Sequence, residues 1–472
     1  MMGNFDFDDE QHEELSELLE RYENAVRNNQ IFLIDQEALE SIIDYYEEMG
    51  NFDKALEVVE RSLEQYPYSS ILLLKKAELL FDMKLCSKAL DSLEMAAIYD
   101  PSELEIHLLK AEILTFQSRY QEAIEVLHNL IKSASDEDLS EIYLRLADVY
   151  EDNEKYPEME QTLKNCLRYE PENEEALNRL NYCIEITENY QESIAFHKEL
   201  VNQAPYCAMI WYNLACAYDG LDQYDQAIES LEYVIAIDEL SDFAYQDLAE
   251  IYFKQGKYQK ALQILKEFHS LGQGDEEVFF LEGQCHDALE NFKMARYCYR
   301  KSLHINPAFH EAFFKIGETY EKEESWENAL KAFTKASELD PQEPEYHLGV
   351  AEACLFLNKL ERAISSAEES IYLKSNNSRA YILLIKTYLT IFDTDTAWEI
   401  LQKGKDSCRD AQELIAVEAA LLFFEGKRKQ GLIKFIEAID CNVFFSDIVF
   451  YFLPDLEKDL ELNVLIAEKH KS

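Results

Sequence analysis

Seven carboxylates recur in this chain at one spacing. Asp44, Glu78, Glu112, Asp148, Glu250, Glu318 and Glu352 stand 34 residues apart or at near multiples of that number. Such groups attract ammonium and guanidinium ions and repel phosphate. In the same phase, four residues ahead of the acidic position, stand Tyr212, Phe280, Phe314 and Leu348, with Leu74, Leu108, Leu144 and Ile382. Phe356 follows Glu352 by four. Other chemistry is sparse. There is no glycine-rich phosphate loop, no HExxH and no GxSxG. The histidines are scattered, and His107, His197, His286 and His347 fall at positions that read as core. No catalytic, cofactor-binding or metal-ligating residue is assigned, and the chain reads as a non-enzyme without a cofactor.

The spacing belongs to a repeat that covers 36–445. Units begin at 36, 70, 104, 140, 174, 208, 242, 276, 310, 344, 378 and 412, with a two-residue slip near 133–138. Position 20 of the unit is alanine in nine of the twelve, from Ala55 to Ala397. Position 11 is tyrosine in six, and position 32 is proline in six, out of only nine prolines in the chain. Positions 4, 7, 8 and 11 share one helical face, as do 20, 24 and 27. Each unit is therefore predicted to be two amphipathic helices. Small residues at 8 and 20, such as Ala215 and Ala227, let the two backbones approach. Proline near 32 stops the second helix. One pair cannot bury its apolar face alone, but a stack can.

The pattern W-x2-L-[GA]-x2-Y…A…P, with its length and phase, resembles the tetratricopeptide repeat. Repeat 9, FFKIGETYEKEESWENALKAFTKASELDP, is among the closest copies. The resemblance implies an all-α right-handed superhelix of about twelve helix-turn-helix repeats. It places the first helix of each repeat, at positions 2, 5, 9 and 12, on a concave surface. On that expectation the seven acids at position 9 face a partner. Seven of twelve compares with about 2.4 for the chain's average acid content. Position 2 is also acid-rich, but there the helix dipole accounts for it. Lys75, Arg145 and Lys254 lie one turn from Glu78, Asp148 and Glu250, so ordinary helix-supporting pairs are the competing account. The expected ligand is a protein or peptide segment, basic and partly hydrophobic.

The flanks are short. Residues 1–9 are expected to be a disordered tail, 10–35 an N-terminal capping helix and 446–472 C-terminal capping helices. The stretch VFFSDIVFYFL is more apolar than a wet outer cap requires. It either packs on repeat 12, folds back into the groove or forms a homodimer contact. The lengthened loop 132–138 is the candidate for a bend.

Composition sets limits. The formal net charge is −50, from 94 acids against 44 bases. Nucleic-acid backbones and anionic membranes are poor partners for such a surface. Glycine and proline total 21 residues, below 5% of the chain against roughly 12% on average, which favours helices. The N-terminus shows no secretory pattern, and no apolar run reaches the roughly 18 residues of a membrane span. Ten cysteines without a CxxC pair read as small apolar fillers, Cys166 and Cys354 among them, in a reducing, cytoplasmic setting. Three functions fit: an interaction scaffold, a structural or charge-mimic protein, and the regulatory arm of an enzyme complex.

Overall fold

One backbone event closes every repeat. At position 15 the chain enters the left-handed region, with φ between 53° and 76°, in all twelve repeats from Gly50 to Gly426. In most repeats the next N–H then donates to the carbonyl of position 11, as in Lys257 N to Tyr252 O and Ser325 N to Tyr320 O, both 2.8 Å. This is the Schellman closure of a helix C-terminus, and it turns the chain straight into the second helix. Only three of the twelve positions are glycine; Phe392, at φ 60°, is the bulkiest residue forced there.

The computed structural model describes residues 6–28, 36–272, 274–409 and 411–469. Among them the chain is all α-helix apart from one short 3-10 segment, with no strand. It divides into two compact units, 1–241 and 242–472. In the first, a helix at Asp6–Arg27 precedes six hairpins, from Gln36–Glu48 with Phe52–Gln65 to Ala208–Asp219 with Tyr224–Ile237. The expected disordered tail at 1–9 falls partly on residues 1–5, outside the described residues, and partly on the first turn of that helix. The second unit opens with Asp242–Lys254 and Tyr258–Ser270 and reaches its sixth hairpin at Glu413–Phe424 with Arg428–Cys441.

Within each hairpin the small residues meet. All nine alanines at position 20, Ala55 through Ala397, have no exposed surface. In repeats 8 and 9 the opposing residue is glycine because an aromatic ring covers it. A Cβ on Gly283 would lie 2.5 Å from the Tyr299 ring, and one on Gly317 would lie 2.4 Å from that of Phe333. Hairpins then join through apolar clusters that cross repeat boundaries. Leu108, Ala123, Ile142 and Leu146 form one in the first unit, and Ala295, Tyr299, Ala312 and Ile316 another in the second. Cys166 and Cys354 are fully buried, and all ten cysteines are unpaired thiols. Burial also governs His197. It has no exposed surface, which pushes its imidazole down to about 4 and keeps it neutral.

The helix-stopping prolines have a second use. Ring N–H groups at position 4 donate back to the proline carbonyl that ends the preceding repeat. Trp211 reaches Pro205, His107 reaches Pro101 and His347 reaches Pro341, each at 2.9 Å. A carbonyl can only accept, so the facing imidazole nitrogen carries the proton. These residues are half-buried, so they latch the boundary between repeats rather than fill the core.

The C-terminal segment folds back on its own unit. Helix Phe445–Phe452 packs against Glu413–Phe424, the first helix of repeat 12. Val449 and Phe452 are buried there. Lys386, on the first helix of repeat 11 (Ser378–Thr390), donates to Tyr451 O at 2.7 Å and Phe452 O at 3.0 Å. Those carbonyls carry the negative end of the helix dipole. Arg428 holds the following turn through Asp459 and Glu461, both at 2.7 Å.

The strained turn can be relieved. Phe392→Gly should stabilise the chain by about 1 kcal/mol, because glycine enters the left-handed region without steric cost. Gly317→Val should destabilise it by roughly 1–3 kcal/mol through overpacking on Phe333. Urea unfolding midpoints check both.

Candidate functional site

The first helices of neighbouring repeats lie side by side, and cations bridge their acids. Lys75, at position 6 of repeat 2, pairs with Asp44 at 3.2 Å and Glu47 at 2.7 Å of repeat 1, and with Glu78 at 3.4 Å. Arg179, at position 6 of repeat 5, pairs with Asp148 at 2.6 Å and Glu151 at 2.7 Å of repeat 4. Arg145 adds a contact of 3.6 Å to Asp148. Much of the acidic row in the first unit is thus neutralised across repeat boundaries. A basic residue at position 6 was the signal for this, readable only once helix neighbours are known.

Glu112 and Asp148 nonetheless share a cleft of about 260 Å³ with Leu108, Phe81, Phe116 and Arg145. Tyr212 and Glu250 are both half-buried on first helices. Phe280 is committed to packing, with its ring 5.5 Å from Tyr299 and 4.9 Å from Phe309. Phe356 is 48% exposed and stacks at 4.0 Å on Trp326, near the turn end of the hairpins.

The remaining candidates converge in the second unit. Glu318, Glu352, Phe314 and Leu348 line a cleft of about 340 Å³ with Glu321, Glu345, Gly349, Lys322 and Arg379. Three first helices build it: His310–Lys322, Pro344–Phe356 and Ser378–Thr390. Phe333 reaches its floor from a second helix. Gly349 leaves room for that ring, since a Cβ there would lie 2.9 Å from it.

Charge in this cleft is poorly compensated. Lys322 is engaged with Asp287 at 2.8 Å, outside the lining residues. Arg379 reaches Glu345 and Glu352 only at 3.7 and 3.9 Å and is itself largely exposed. Lys315 takes Glu318 at 2.8 Å. Glu321 forms no ion pair among the described residues. Burial, and then the charges of Glu352 and Glu318, push its carboxyl up to about 7. Burial likewise raises Glu352. A buried carboxylate short of a counter-ion favours an incoming cation.

Glu321 sits at position 12 and was missed as a site residue, because one acid among 94 has no sequence mark. Its neighbourhood marks it. The C-terminal segment borders the same ground, for burial and then the charges of Glu352 and Glu321 raise the Tyr451 phenol. Lys386 occupies position 9, where other repeats carry acids, and its ammonium is spent on the helix end.

Family models described as "Tetratricopeptide repeat" match residues 140–173, 220–285 and 314–378. TPR repeat-containing protein YpiA of Bacillus subtilis (strain 168) is 23% identical over 347 residues, spanning 73% of this chain and 81% of that protein. The BBSome complex member BBS4 homolog of Drosophila melanogaster is 22% identical over 263 residues; the match covers 52% of this chain and 53% of that protein. Among solved structures, the Cut9-Hcn1 hetero-tetramer of the APC/C aligns over 90% of this chain and 95% of that chain, at 12% identity and a TM-score of 0.40. Among the described residues no helix is long and apolar enough to cross a membrane. With the repeating hairpins, the family matches and the repeat-containing relatives in hand, this chain carries tetratricopeptide repeats.

Proposed function

We propose that this protein is a non-enzymatic scaffold that captures a basic, partly hydrophobic segment of a partner protein on its first-helix face. The repeat fold itself suggests a protein–protein interaction scaffold. The cleft formed by Phe314, Glu318, Glu321, Leu348 and Glu352 supports the finer reading. One observation carries it: Glu321, half-buried and without an ion pair among the described residues, lies beside two further carboxylates. A lysine or arginine side chain entering there gains three acids and leaves its aliphatic stem on Phe314 and Leu348. An anionic peptide tail would meet poorly compensated carboxylates instead. A charge-mimic role predicts binding spread over the whole surface, with no such focus.

The ends of the row have a different character. Acids in repeats 1, 2 and 4 are already held by Lys75 and Arg179, so they contribute less to a cationic ligand. Phe280 serves the stack rather than the partner. The best-supported contact residues are Glu318, Glu321, Glu352, Phe314 and Leu348, with Glu112 and Asp148 a weaker second position.

Reversing the charge of the cleft should weaken capture. Glu318→Lys combined with Glu352→Lys should weaken binding of immobilised lysine- and leucine-rich peptides by roughly tenfold or more, about 1.4 kcal/mol or above. Far-ultraviolet circular dichroism should stay unchanged, and wild-type binding should fall with added salt. Equal retention of the basic peptides by the double variant would remove this cleft from consideration.

Binding should also depend on pH in a set direction. The Glu321 carboxyl is raised from 4.5 to about 7, so the native state holds a proton that the unfolded chain has released. Stability therefore falls as pH rises from 4.5 towards 7, and the deficit is complete above 7. Glu321→Gln should raise the unfolding midpoint at about pH 8 and leave it nearly unchanged near pH 5. Affinity of the wild type for the basic peptide should rise through neutral pH as Glu321 ionises, and that rise should vanish in the variant.

A further inference from the structure

Repeat 8 breaks the apolar rule at two core positions of its first helix, Glu276–Ala288. Glu282 stands at position 7 and His286 at position 11, where repeats 6, 7 and 9 carry leucine or isoleucine and tyrosine. The two are one helical turn apart, so their side chains share a face. Cys298, on the second helix Phe292–Ile305, faces them and is 1% exposed. One ligating atom from each of Glu282, His286 and Cys298 lies within 4.8 Å of the other two. His269, at the end of the preceding repeat, places Nε2 3.4 Å from Glu282 Oε2.

The same chain contains an internal control. Position 7 of repeat 12 is also a glutamate, Glu418. It is met by Lys405 at 2.5 Å and Lys434 at 3.5 Å. Lys405 is position 28 of the preceding repeat, and Lys434 is position 23 of the same repeat. In repeat 8 those two positions are His269 and Cys298. The inter-repeat carboxylate that two fixed ammonium groups neutralise in repeat 12 has, in repeat 8, an imidazole and a thiol, with a second imidazole added from position 11. No lysine or arginine pairs with Glu282 among the described residues. Glu282 is half-buried, and a carboxylate partly withdrawn from water requires compensation. Here the surrounding groups are of the types that ligate a metal.

We propose that Glu282, His286 and Cys298, with His269 completing the set, form a binding site for a late first-row divalent transition ion of the zinc type. Sulfur, imidazole and carboxylate donors suit that class and not magnesium or calcium. Bonds of about 2.0–2.3 Å to a tetrahedral ion put neighbouring ligand atoms roughly 3.3–3.8 Å apart. The cluster therefore closes by on the order of 1 Å, within reach of side-chain rotation. Binding forms the metal–sulfur bond as the Cys298 proton leaves to solvent, while both imidazoles bind neutral. The ion would staple repeat 7 to repeat 8 through His269 and the two helices of repeat 8 through Cys298. This inference is independent of the partner cleft.

Full-length protein, stripped with chelator, would be titrated with Co²⁺ and then Zn²⁺. One equivalent of Co²⁺ should produce sulfur-to-cobalt charge-transfer absorption in the near ultraviolet and tetrahedral bands in the visible, both erased by one equivalent of Zn²⁺. Cys298→Ser should remove the charge-transfer absorption, and His286→Gln should weaken Co²⁺ binding tenfold or more. Cys441→Ser, at an exposed cysteine remote in sequence, should change neither. Glu282→Gln keeps the shape of the side chain and serves if the cysteine variant fails to fold; it too should lose affinity at least tenfold. No cobalt–thiolate absorption in the wild type, the same absorption in Cys298→Ser, or undiminished affinity in Glu282→Gln would overturn the proposal.

Discussion

Everything in this molecule rests on the close approach of two helices at small residues. Where Ala227 or Ala329 meets the partner helix, neither side chain reaches past its Cβ, and both are fully buried. The left-handed residue at position 15 sets the reversal that makes the approach possible, and the aromatic rings beside it fill the wedge. A hairpin built in this way still exposes one apolar face. The next hairpin covers it, so the apolar clusters continue across repeat boundaries.

Stacking of this kind has a consequence for charge. First helices from successive repeats are laid next to one another, so a residue at position 6 of one repeat faces positions 9 and 12 of the one before. Lys75 and Arg179 use that relation to neutralise acids. Where position 6 offers less, as around Glu321 and Glu352, carboxylates crowd and their proton affinities rise. The same arithmetic of positions separates repeat 12, where Glu418 is answered by two lysines, from repeat 8, where Glu282 is answered by histidine and cysteine. A repeat protein varies its chemistry by changing residues at fixed geometric stations, and the stations can be compared within one chain.

The candidate site was partly legible in advance. Phase alone points to Glu318, Glu352, Phe314 and Leu348, and they line one cleft. Phe280 and Phe356 shared the apolar phase or lay near it, yet they pack against Tyr299 and Trp326. Phase tells which side of a helix a residue occupies, but not whether the neighbouring repeat leaves it uncovered. Glu321 was missed for the opposite reason. Its type is common here and its position unremarkable; only the loss of water and the nearness of two other acids make it distinctive. The histidines at position 4 read as core, but in the structure His107 and His347 are half-buried and donate to proline carbonyls six residues earlier.

The helical hairpin, its 34-residue period, the small-residue contact and the acidic balance of the surface can all be read along the chain. Those properties follow from local spacing, and local spacing is written along the chain. Only the tertiary structure decided which acids are paired, which aromatic rings are covered, where the C-terminal helix lies and that Glu282, His286 and Cys298 meet. Each of those depends on residues from different helices arriving at one point, and burial and Coulomb forces act on that distance, not on separation in sequence.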